Sequence, residues 1–174
     1  MSSASLHHVA YACKDPEDTR HFYEDLLGFP LTHTEVAPVG DGFIRHFFFA
    51  LDDGSCIAFF DLHDAGEKPG WSTEIATGLG LPLWCNHLAL RADADKQAEV
   101  RSRVEAEGGE LLGILDHDWC ESHYYVDPNG ILIELCRDTP GMPADADDAL
   151  GLLSALPAEG TPNAETRAVD TAAR

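Results

Sequence analysis

The chain has few basic residues and no long hydrophobic run, and each shortage argues against a class of protein. Only 11 Lys and Arg residues stand against 31 Asp and Glu residues, so the formal net charge at pH 7 is −20. A strongly acidic surface repels phosphate backbones and anionic lipids, which argues against nucleic acid and membranes as partners. No apolar stretch reaches the roughly 18 residues of a membrane span, and residues 1–6 lack the basic and apolar regions of a signal peptide. From the sequence we expect a cytoplasmic protein.

Cysteine is also sparse, and its pattern argues against a disulfide framework. The five cysteines are odd in number and widely scattered, and none forms a C-x-x-C pair: Cys13, Cys56, Cys85, Cys120 and Cys136. Such spacing does not suit a structural zinc knuckle either. The pattern predicts reduced thiols, most of them buried.

The order of the predicted elements is the same in both halves of the chain. In the first half, Asp15 and Pro16 predict a helix start after an alternating strand, and Gly28 predicts its end. Three strands follow in each half, separated by turns rich in Gly, Pro and Asp. We therefore divide the chain into four parts: a first βαβββ module (1–61), a linker (62–83), a second βαβββ module (84–138) and a C-terminal extension with a short helix and then a flexible tail (139–174).

A short cassette repeats at the start of each module and carries the chemistry. It reads His8-Val9-Ala10-Tyr11 in the first module and His87-Leu88-Ala89-Leu90 in the second. Because side chains alternate across a strand, each histidine shares its face with a small alanine, which leaves space beside the imidazole. Each histidine alone could be an ordinary hydrogen-bonded strand residue, but their equivalent positions favour a shared role.

A carboxylate completes the set. Glu134 interrupts the apolar run Ile131–Leu135, where a lone ionised carboxylate is costly unless it is paired or bound to a metal. Taken alone, Glu134 could equally face solvent. Together, His8, His87 and Glu134 would form a two-histidine, one-carboxylate set, which typically holds Fe(II) with open coordination positions.

The sequence resembles the vicinal oxygen chelate superfamily over residues 6–137. The likeness is carried by the two cassettes, by the helix end at residues 22–29 (FYEDLLGF), and by residues 124–130 (YYVDPNG) together with Glu134. This resemblance implies an α+β fold in which two tandem βαβββ modules form a cupped mixed sheet around a divalent metal ion. Small members commonly pair their module edges with a partner, so we expect a homodimer, with the site either within one chain or shared between two.

Within the superfamily the ligand pattern is similar to that of the extradiol ring-cleaving dioxygenases. Glyoxalase and epimerase relatives usually have a carboxylate on the last strand of the first module, and here no ligand precedes Asp61. His117, Tyr124 and Glu134 match the spacing of the extradiol signature, although His123 and Leu115 depart from it. The resemblance implies metal ligation by His8, His87 and Glu134, acid–base catalysis by His117, and a hydrogen bond from Tyr124 to a reacting oxygen.

The implied substrates are a catechol-like aromatic compound and O₂, and the implied cofactor is a divalent metal, Fe(II) first and Mn(II) or Zn(II) as alternatives. A thiol transferase of the fosfomycin-resistance type would need cations for a phosphonate, and only Arg91 and Arg137 lie near the predicted site. A glyoxalase-type isomerase or lyase is weakened by the missing first-module carboxylate. A non-catalytic drug-binding protein would be expected to lack the metal ligands. Four aromatic residues could line a substrate pocket, although strand aromatics more often lie in the core: Phe47, Phe49, Phe59 and Trp119.

Overall fold

The computed structural model describes residues 4–140, 146–157, 159 and 168–169. Module 1 comprises β1 (His8–Ala12), α1 (Pro16–Arg20), β2 (Leu31–Val39), β3 (Gly42–Ala50) and β4 (Cys56–His63), with α1 continuing into a π-helical turn, His21–Leu26. Module 2 comprises β5 (His87–Arg91), α2 (Ala94–Ala106), β6 (Gly113–Asp116), β7 (Cys120–Val126) and β8 (Leu132–Asp138). The connection contains two short 3₁₀ turns, Thr77–Leu79 and Leu83–Cys85, and the chain after module 2 contains α3 (Ala146–Leu152) and β9 (Ala168–Val169).

Each module forms one sheet in which the first strand lies beside the last. The strand order is β1-β4-β3-β2 in the first sheet and β5-β8-β7-β6-β9 in the second. The β1–β4 and β5–β8 pairs are parallel and the other pairs are antiparallel. The α+β architecture of two βαβββ modules predicted from the sequence is therefore confirmed. The register places Ala10 opposite Ala58 in module 1 and Ala89 opposite Glu134 in module 2.

The helices begin and end where the sequence signals lie. The Asp15 carboxylate accepts hydrogen bonds from two amides in the first turn of α1, at 2.8 and 2.9 Å. Asp93 does the same for α2, accepting from the Lys96 amide at 2.8 Å. These caps satisfy amides that have no partner within the helix. Gly28 ends the first helix with a φ of +75°, a conformation that side chains with a Cβ rarely adopt.

One hydrophobic core is shared by both modules. It contains apolar side chains of the π-helical turn, the inner face of each sheet and the buried face of α2. Phe47, Phe49 and Phe59 lie in this core with at most 4% of their surface exposed, so these three are core residues and not pocket lining. Each such buried aromatic side chain contributes about 1.5–3 kcal/mol of transfer free energy. Trp119 lies outside it and is 38% exposed.

Strand alternation turns the histidine faces away from this core. Val9 and Tyr11 of β1 and Leu88 and Leu90 of β5 pack in or against it. The alternate residues of the same strands, the histidine and the alanine of each cassette, are exposed. Each sheet therefore presents its cassette histidine on the face opposite the shared core.

A buried polar network joins the two modules at the start of β8. The Asp127 carboxylate accepts hydrogen bonds from the Ile131 amide at 2.7 Å and the Asn129 amide at 2.9 Å, which shapes the turn before β8. The Tyr23 hydroxyl of module 1 donates to the same carboxylate at 3.0 Å, and the Lys14 amide donates to Asn129 Oδ1 at 2.8 Å. Burial raises the pKa of the Asp127 carboxyl, and its hydrogen bonds oppose that shift. The network fixes where β8 starts, and hence where Glu134 lies.

The C-terminal extension is described only in part. α3 covers most of the short helix predicted at residues 147–156. The predicted flexible tail lies mainly outside the described residues, and of the described part, Ala168–Val169 pair with β6. No helix among the residues that the structure describes is long and apolar enough to cross a membrane.

Candidate metal centre

The centre of the candidate site is a buried carboxylate in contact with an imidazole. Glu134 lies on β8 with only 7% of its side chain exposed, and its Oε2 is 2.9 Å from Nε2 of His87 on β5. Its other oxygen, Oε1, accepts a short hydrogen bond from the Ser122 hydroxyl on β7. Among the described residues His87 is the ion-pair partner of Glu134, and no Lys or Arg is paired with it.

A hydrogen bond at its other ring nitrogen, Nδ1, sets the orientation of His87. Nδ1 lies 2.9 Å from the backbone carbonyl oxygen of Trp84. A carbonyl oxygen can only accept, so Nδ1 carries the hydrogen and Nε2 of the neutral ring presents a lone pair. Nε2 and Glu134 Oε2 are then two acceptors at 2.9 Å, an arrangement that needs a proton or a cation. A metal-binding histidine is commonly held in this way by a carbonyl on its second nitrogen.

A second pair of polar side chains lies next to the carboxylate. Tyr124 on β7 is directly opposite Glu134 in the β7–β8 register. Its hydroxyl lies 3.0 Å from Nε2 of His117, which follows β6. Burial first, and then the negative charge of Glu134, raise the pKa of Tyr124 above its ordinary range. The phenol therefore remains protonated at neutral pH and is available as a donor.

The same region contains a thiol that the sequence reasoning missed. His117, Cys120 and Glu134 each offer one ligand atom, and these atoms lie within 4.8 Å of one another. Within the part of the chain that the structure describes, these three residues form the group of possible metal ligands whose atoms lie this close together. Cys120 is fully buried, with Sγ 3.6 Å from the Ser122 hydroxyl oxygen. Alternation along residues 120–126 could have revealed it, because it places Cys120, Ser122 and Tyr124 on one face.

His8 lies apart from this cluster. It is exposed on β1 of the other sheet, with Nδ1 2.8 Å from Nδ1 of His7. Its ring lies 5.6 Å from Phe48 and 6.2 Å from His46, measured between centroids. Within one subunit, the structure thus brings together four of the five predicted site residues: His87, His117, Tyr124 and Glu134. The fifth, His8, is on the outward face of the first sheet.

The last strand of module 1 has a carboxylate, but on the wrong face for this site. Asp61 shares its side of β4 with the core residues Ile57 and Phe59, because alternate residues face the same way. It is 5% exposed and forms ion pairs with Arg45 and with His63, the latter at 2.9 Å. Asp61 therefore stabilises the sheet end and does not join His8.

The two arginines considered for phosphonate binding both have acidic partners. Arg91 is 82% exposed and lies 3.1 Å from Asp138. Arg137 lies 2.9 Å from Glu121. Each positive charge is therefore largely neutralised by its own neighbour.

Comparison with known proteins agrees with this architecture. A curated relative, the putative ring-cleaving dioxygenase MhqA of Bacillus subtilis, is 36% identical over 74 residues, which is 41% of this chain but 23% of MhqA. The chain therefore matches less than a quarter of that relative's length.

Two solved structures show the same fold. A glyoxylase/bleomycin resistance protein/dioxygenase domain from Frankia sp. superposes with a TM-score of 0.62 at 16% identity, covering 81% of this chain and 96% of that one. The fosfomycin resistance protein FosX of Listeria monocytogenes, complexed with Mn(II) and sulfate, gives 0.53 at 21% identity, covering 80% and 96%. The profile of one family matches residues 5–135, nearly all of both modules. The chain belongs to the Glyoxalase/Bleomycin resistance protein/Dioxygenase superfamily.

Proposed function

We propose that the protein is an Fe(II)-dependent extradiol-type dioxygenase that cleaves a catechol-like ring with O₂. The observation that carries the proposal is the contact between His87 Nε2 and Glu134 Oε2. Two acceptors at 2.9 Å in a site with a 7% exposed carboxylate are stable only around a proton or a cation. The partial likeness to a putative ring-cleaving dioxygenase supports the same reaction class.

The residues present fit a ferrous ion. His87 and Glu134 would hold it from module 2, and His8 would be the third ligand, giving the two-histidine, one-carboxylate set. When bound, the ion would supply open coordination positions for two catechol oxygens and for O₂, and would stabilise negative charge that develops on them. The Ser122 hydroxyl and the Trp84 carbonyl would hold the two module 2 ligands in place.

Proton transfer would be the task of His117 and Tyr124. A catechol must lose its hydroxyl protons on binding, and a neutral imidazole is suited to accept one near neutral pH. His117 Nε2 lies 3.0 Å from the Tyr124 hydroxyl, so a proton can be held between them. Because its pKa is raised, Tyr124 stays protonated and donates a hydrogen bond to a substrate oxygen.

The third ligand comes from a second copy of the chain in this proposal. In one subunit the histidine faces of both sheets point away from the common core, and His8 does not reach Glu134. Exposed apolar side chains accompany both faces: Leu6 beside His8 is 57% exposed, and Trp84 beside His87 is 68% exposed. A homodimer that places β1 of one copy against β5 of the other would cover these residues and complete two equivalent sites.

The same assembly would provide an aromatic wall for the substrate ring. Phe48 and Phe60 lie on the His8 face of module 1, with the His46 ring stacked on Phe60 at 3.8 Å. Along β3 and β4, Phe48 and Phe60 alternate with the core residues Phe47, Phe49 and Phe59, so they face away from the core. Module 1 would thus supply one ligand and the apolar wall, and module 2 would supply two ligands and the proton-transfer pair.

All five cysteines are free thiols, which suits the reducing cytoplasm as the compartment.

A subunit-mixing experiment tests the reaction and the shared site together. His8→Ala and Glu134→Ala homodimers, loaded anaerobically with Fe(II), should neither consume O₂ nor form the yellow ring-cleavage product with any of a panel of catechols. When the two variants are unfolded together and refolded, half of the dimers should be mixed, and each mixed dimer would contain one intact site. About a quarter of wild-type activity should therefore return. No recovery, with wild type recovering fully under the same treatment, would contradict the shared site.

Wild-type protein that binds Fe(II) but consumes no O₂ with any catechol would contradict the dioxygenase reaction. Mn(II) binding with thiol transfer to an epoxide would then support the fosfomycin-type alternative. The ion-paired state of Arg91 and Arg137 makes that alternative the weaker one.

A further inference from the structure

The candidate site has a buried donor that the proposed reaction does not use. Cys120 is fully buried on β7, with its Sγ 3.6 Å from the Ser122 hydroxyl oxygen and beside the Cys136 thiol. With His117 and Glu134 it forms a group whose ligand atoms lie within 4.8 Å of one another. All three residues belong to module 2, so this group is complete in a single subunit.

We propose that His117, Cys120 and Glu134 form a second metal position in each subunit, and that this position takes a thiophilic divalent ion, Zn²⁺ above all. Ligand atoms around tetrahedral zinc, with Zn–S near 2.3 Å and Zn–N near 2.1 Å, are about 3.6 Å apart. The observed separations of at most 4.8 Å therefore require only a small closure. Rotation of the partly exposed His117 side chain can supply it.

The donor types decide which ion would bind. A thiolate prefers Zn²⁺ and other soft or borderline ions to Mg²⁺, Ca²⁺ or Mn²⁺, which favour oxygen ligands. One thiolate, one imidazole and one carboxylate match the three protein ligands of an open zinc site, with a fourth position left for water. Zinc binds cysteine as the thiolate, so metal binding at such a site releases the thiol proton.

The second position would exclude the ferrous ion, a consequence that rests on the proposed function. Glu134 belongs to both ligand sets, so an ion at the second position would compete with the ferrous ion for this carboxylate. Zn²⁺ at the second position would also occupy His117, the proposed proton-transfer group. Zinc would therefore inactivate the enzyme by two routes, and Cys120 would be the residue that makes the inhibition selective for thiophilic metals.

Cobalt(II) provides a readout that does not depend on activity. Apo protein titrated anaerobically with Co²⁺ should develop an intense near-ultraviolet thiolate-to-cobalt charge-transfer band that saturates at one equivalent per subunit. Cys120→Ser should abolish the band. Cys136→Ser is the matched control, because Cys136 lies on the neighbouring strand opposite Ser122 but outside the ligand group, and it should keep the band. His8→Ala should also keep it, since the proposed position needs no residue from module 1.

Three results would overturn the proposal: no band in wild type, a band that survives Cys120→Ser, or a band lost in Cys136→Ser alone. Because Cys120 is buried, circular dichroism must show that the serine variant folds. If it does not, His117→Ala serves instead, since His117 is only partly buried. That variant should weaken Co²⁺ binding at least about 10-fold, beyond the lower bound for loss of an outer partner. An unchanged affinity would refute the site.

The competition is measured separately in the Fe(II) enzyme. Zn²⁺ should inhibit O₂ uptake by wild type at concentrations at least about 10-fold lower than those needed for Cys120→Ser. Equal inhibition of both proteins would refute the competition. If no catechol supports O₂ uptake, the proposed reaction fails, while the cobalt band still decides whether the second metal position exists.

Discussion

Modules 1 and 2 have the same strand order, and their equivalent strands pair in the same register, yet their histidine faces carry different side chains. The position of Glu134, opposite the cassette alanine, is occupied by Ala58 in module 1. Across the next strand, Tyr124 lies opposite Glu134 while Phe48 lies opposite Ala58. Ser122 likewise corresponds to His46 by register. One repeated fold therefore gives a face with candidate metal ligands in module 2 and a more aromatic face in module 1, through side chains alone.

The histidine faces of the two modules therefore offer complementary side chains. The module 1 face provides His8 and half-buried aromatic rings, and its carboxylate, Glu35, is exposed on β2 opposite His46. The module 2 face provides a buried carboxylate, an oriented imidazole and the hydrogen-bonded pair His117 and Tyr124. The proposed dioxygenase would need both kinds of surface, one for a divalent ion and one for a flat aromatic substrate, and a dimer in which the two faces meet would provide them.

The largest effect should come from removing the carboxylate that distinguishes the modules. Glu134→Gln removes the one negative charge of the ligand set, so Fe(II) affinity should fall by more than the roughly 10–100-fold that outer partners contribute. Ser122→Ala is the matched control, since it removes only the hydrogen bond that holds the carboxylate, and its loss should stay within that range. Chelator competition under anaerobic conditions measures both. Equal losses in the two variants would show that Glu134 is not a ligand.

The next effect concerns the turn before the last strand of each module. Asp127→Ala leaves two buried amides and the Tyr23 hydroxyl without their acceptor, and each unsatisfied buried group costs about 1–3 kcal/mol. We expect the free energy of unfolding to fall by about 3–5 kcal/mol. The acidic acceptor in the module 1 turn is Asp53, which corresponds by register to Asn129, is exposed and accepts from the amide and the hydroxyl of Ser55. Asp53→Ala should cost much less than Asp127→Ala, because water can replace an exposed acceptor.

Urea denaturation monitored by circular dichroism measures both variants. Similar losses would mean that the buried network does not hold the modules together. A loss confined to Asp127→Ala would show that the second turn, and not the first, anchors the shared core.

The sequence was informative where the signal is local. Asp15, Pro16 and Gly28 predicted the helix limits because capping and positive φ depend on single residues. Strand alternation predicted that His8 and His87 each lie beside a small alanine on one face. The run Phe47–Phe49 has no alternation of apolar and polar residues, so the sequence could not say which ring faces the core.

The packing of one module on the other was beyond the sequence. The apolar faces of β1, β4, β5 and β8 would be buried in either arrangement of the modules, so the pattern cannot tell whether His8 meets Glu134 in one chain. The sequence could have predicted Cys120 and Ser122 as site residues, because strand alternation places them on the same face as Tyr124. They were missed because neither residue type stands out in a strand without its neighbours across the sheet.

The inner faces of the two modules differ in a titratable residue, which predicts a pH effect. His123 corresponds by register to Phe47 and is buried, and its Nδ1 has no hydrogen-bond partner within the described part of the chain. Burial lowers the pKa of His123, an effect that Arg101 and Arg137 reinforce and Glu121 opposes. Below about pH 6.5 the His123 side chain is protonated in the unfolded chain but stays neutral in the folded protein. The stability contribution of neutral His123 is therefore present at higher pH and is lost as the pH falls through that value.

His123→Phe copies the module 1 residue and should make the unfolding free energy fall less between pH 7.5 and pH 5.5 than it does in wild type. His33→Phe is the control, because His33 is exposed beside Glu35 and its replacement should leave most of the pH dependence in place. Denaturation midpoints at both pH values give the comparison. An unchanged slope in His123→Phe would show that His123 is protonated in the fold.

The smallest expected effect is a stabilisation, and it also copies module 1 into module 2. Tyr125 corresponds by register to Phe49, and its buried hydroxyl has no hydrogen-bond partner among the residues that the structure describes. Burial raises the pKa of Tyr125 to about 12, so the phenol is neutral and its cost is that of an unsatisfied hydroxyl. Tyr125→Phe should therefore raise the free energy of unfolding by about 1 kcal/mol. Tyr23→Phe should act in the opposite direction by about 1–2 kcal/mol, because the Tyr23 hydroxyl donates to Asp127. If both variants lose stability equally, the Tyr125 hydroxyl has a partner in solution, and the inner faces of the two modules are less alike than their register implies.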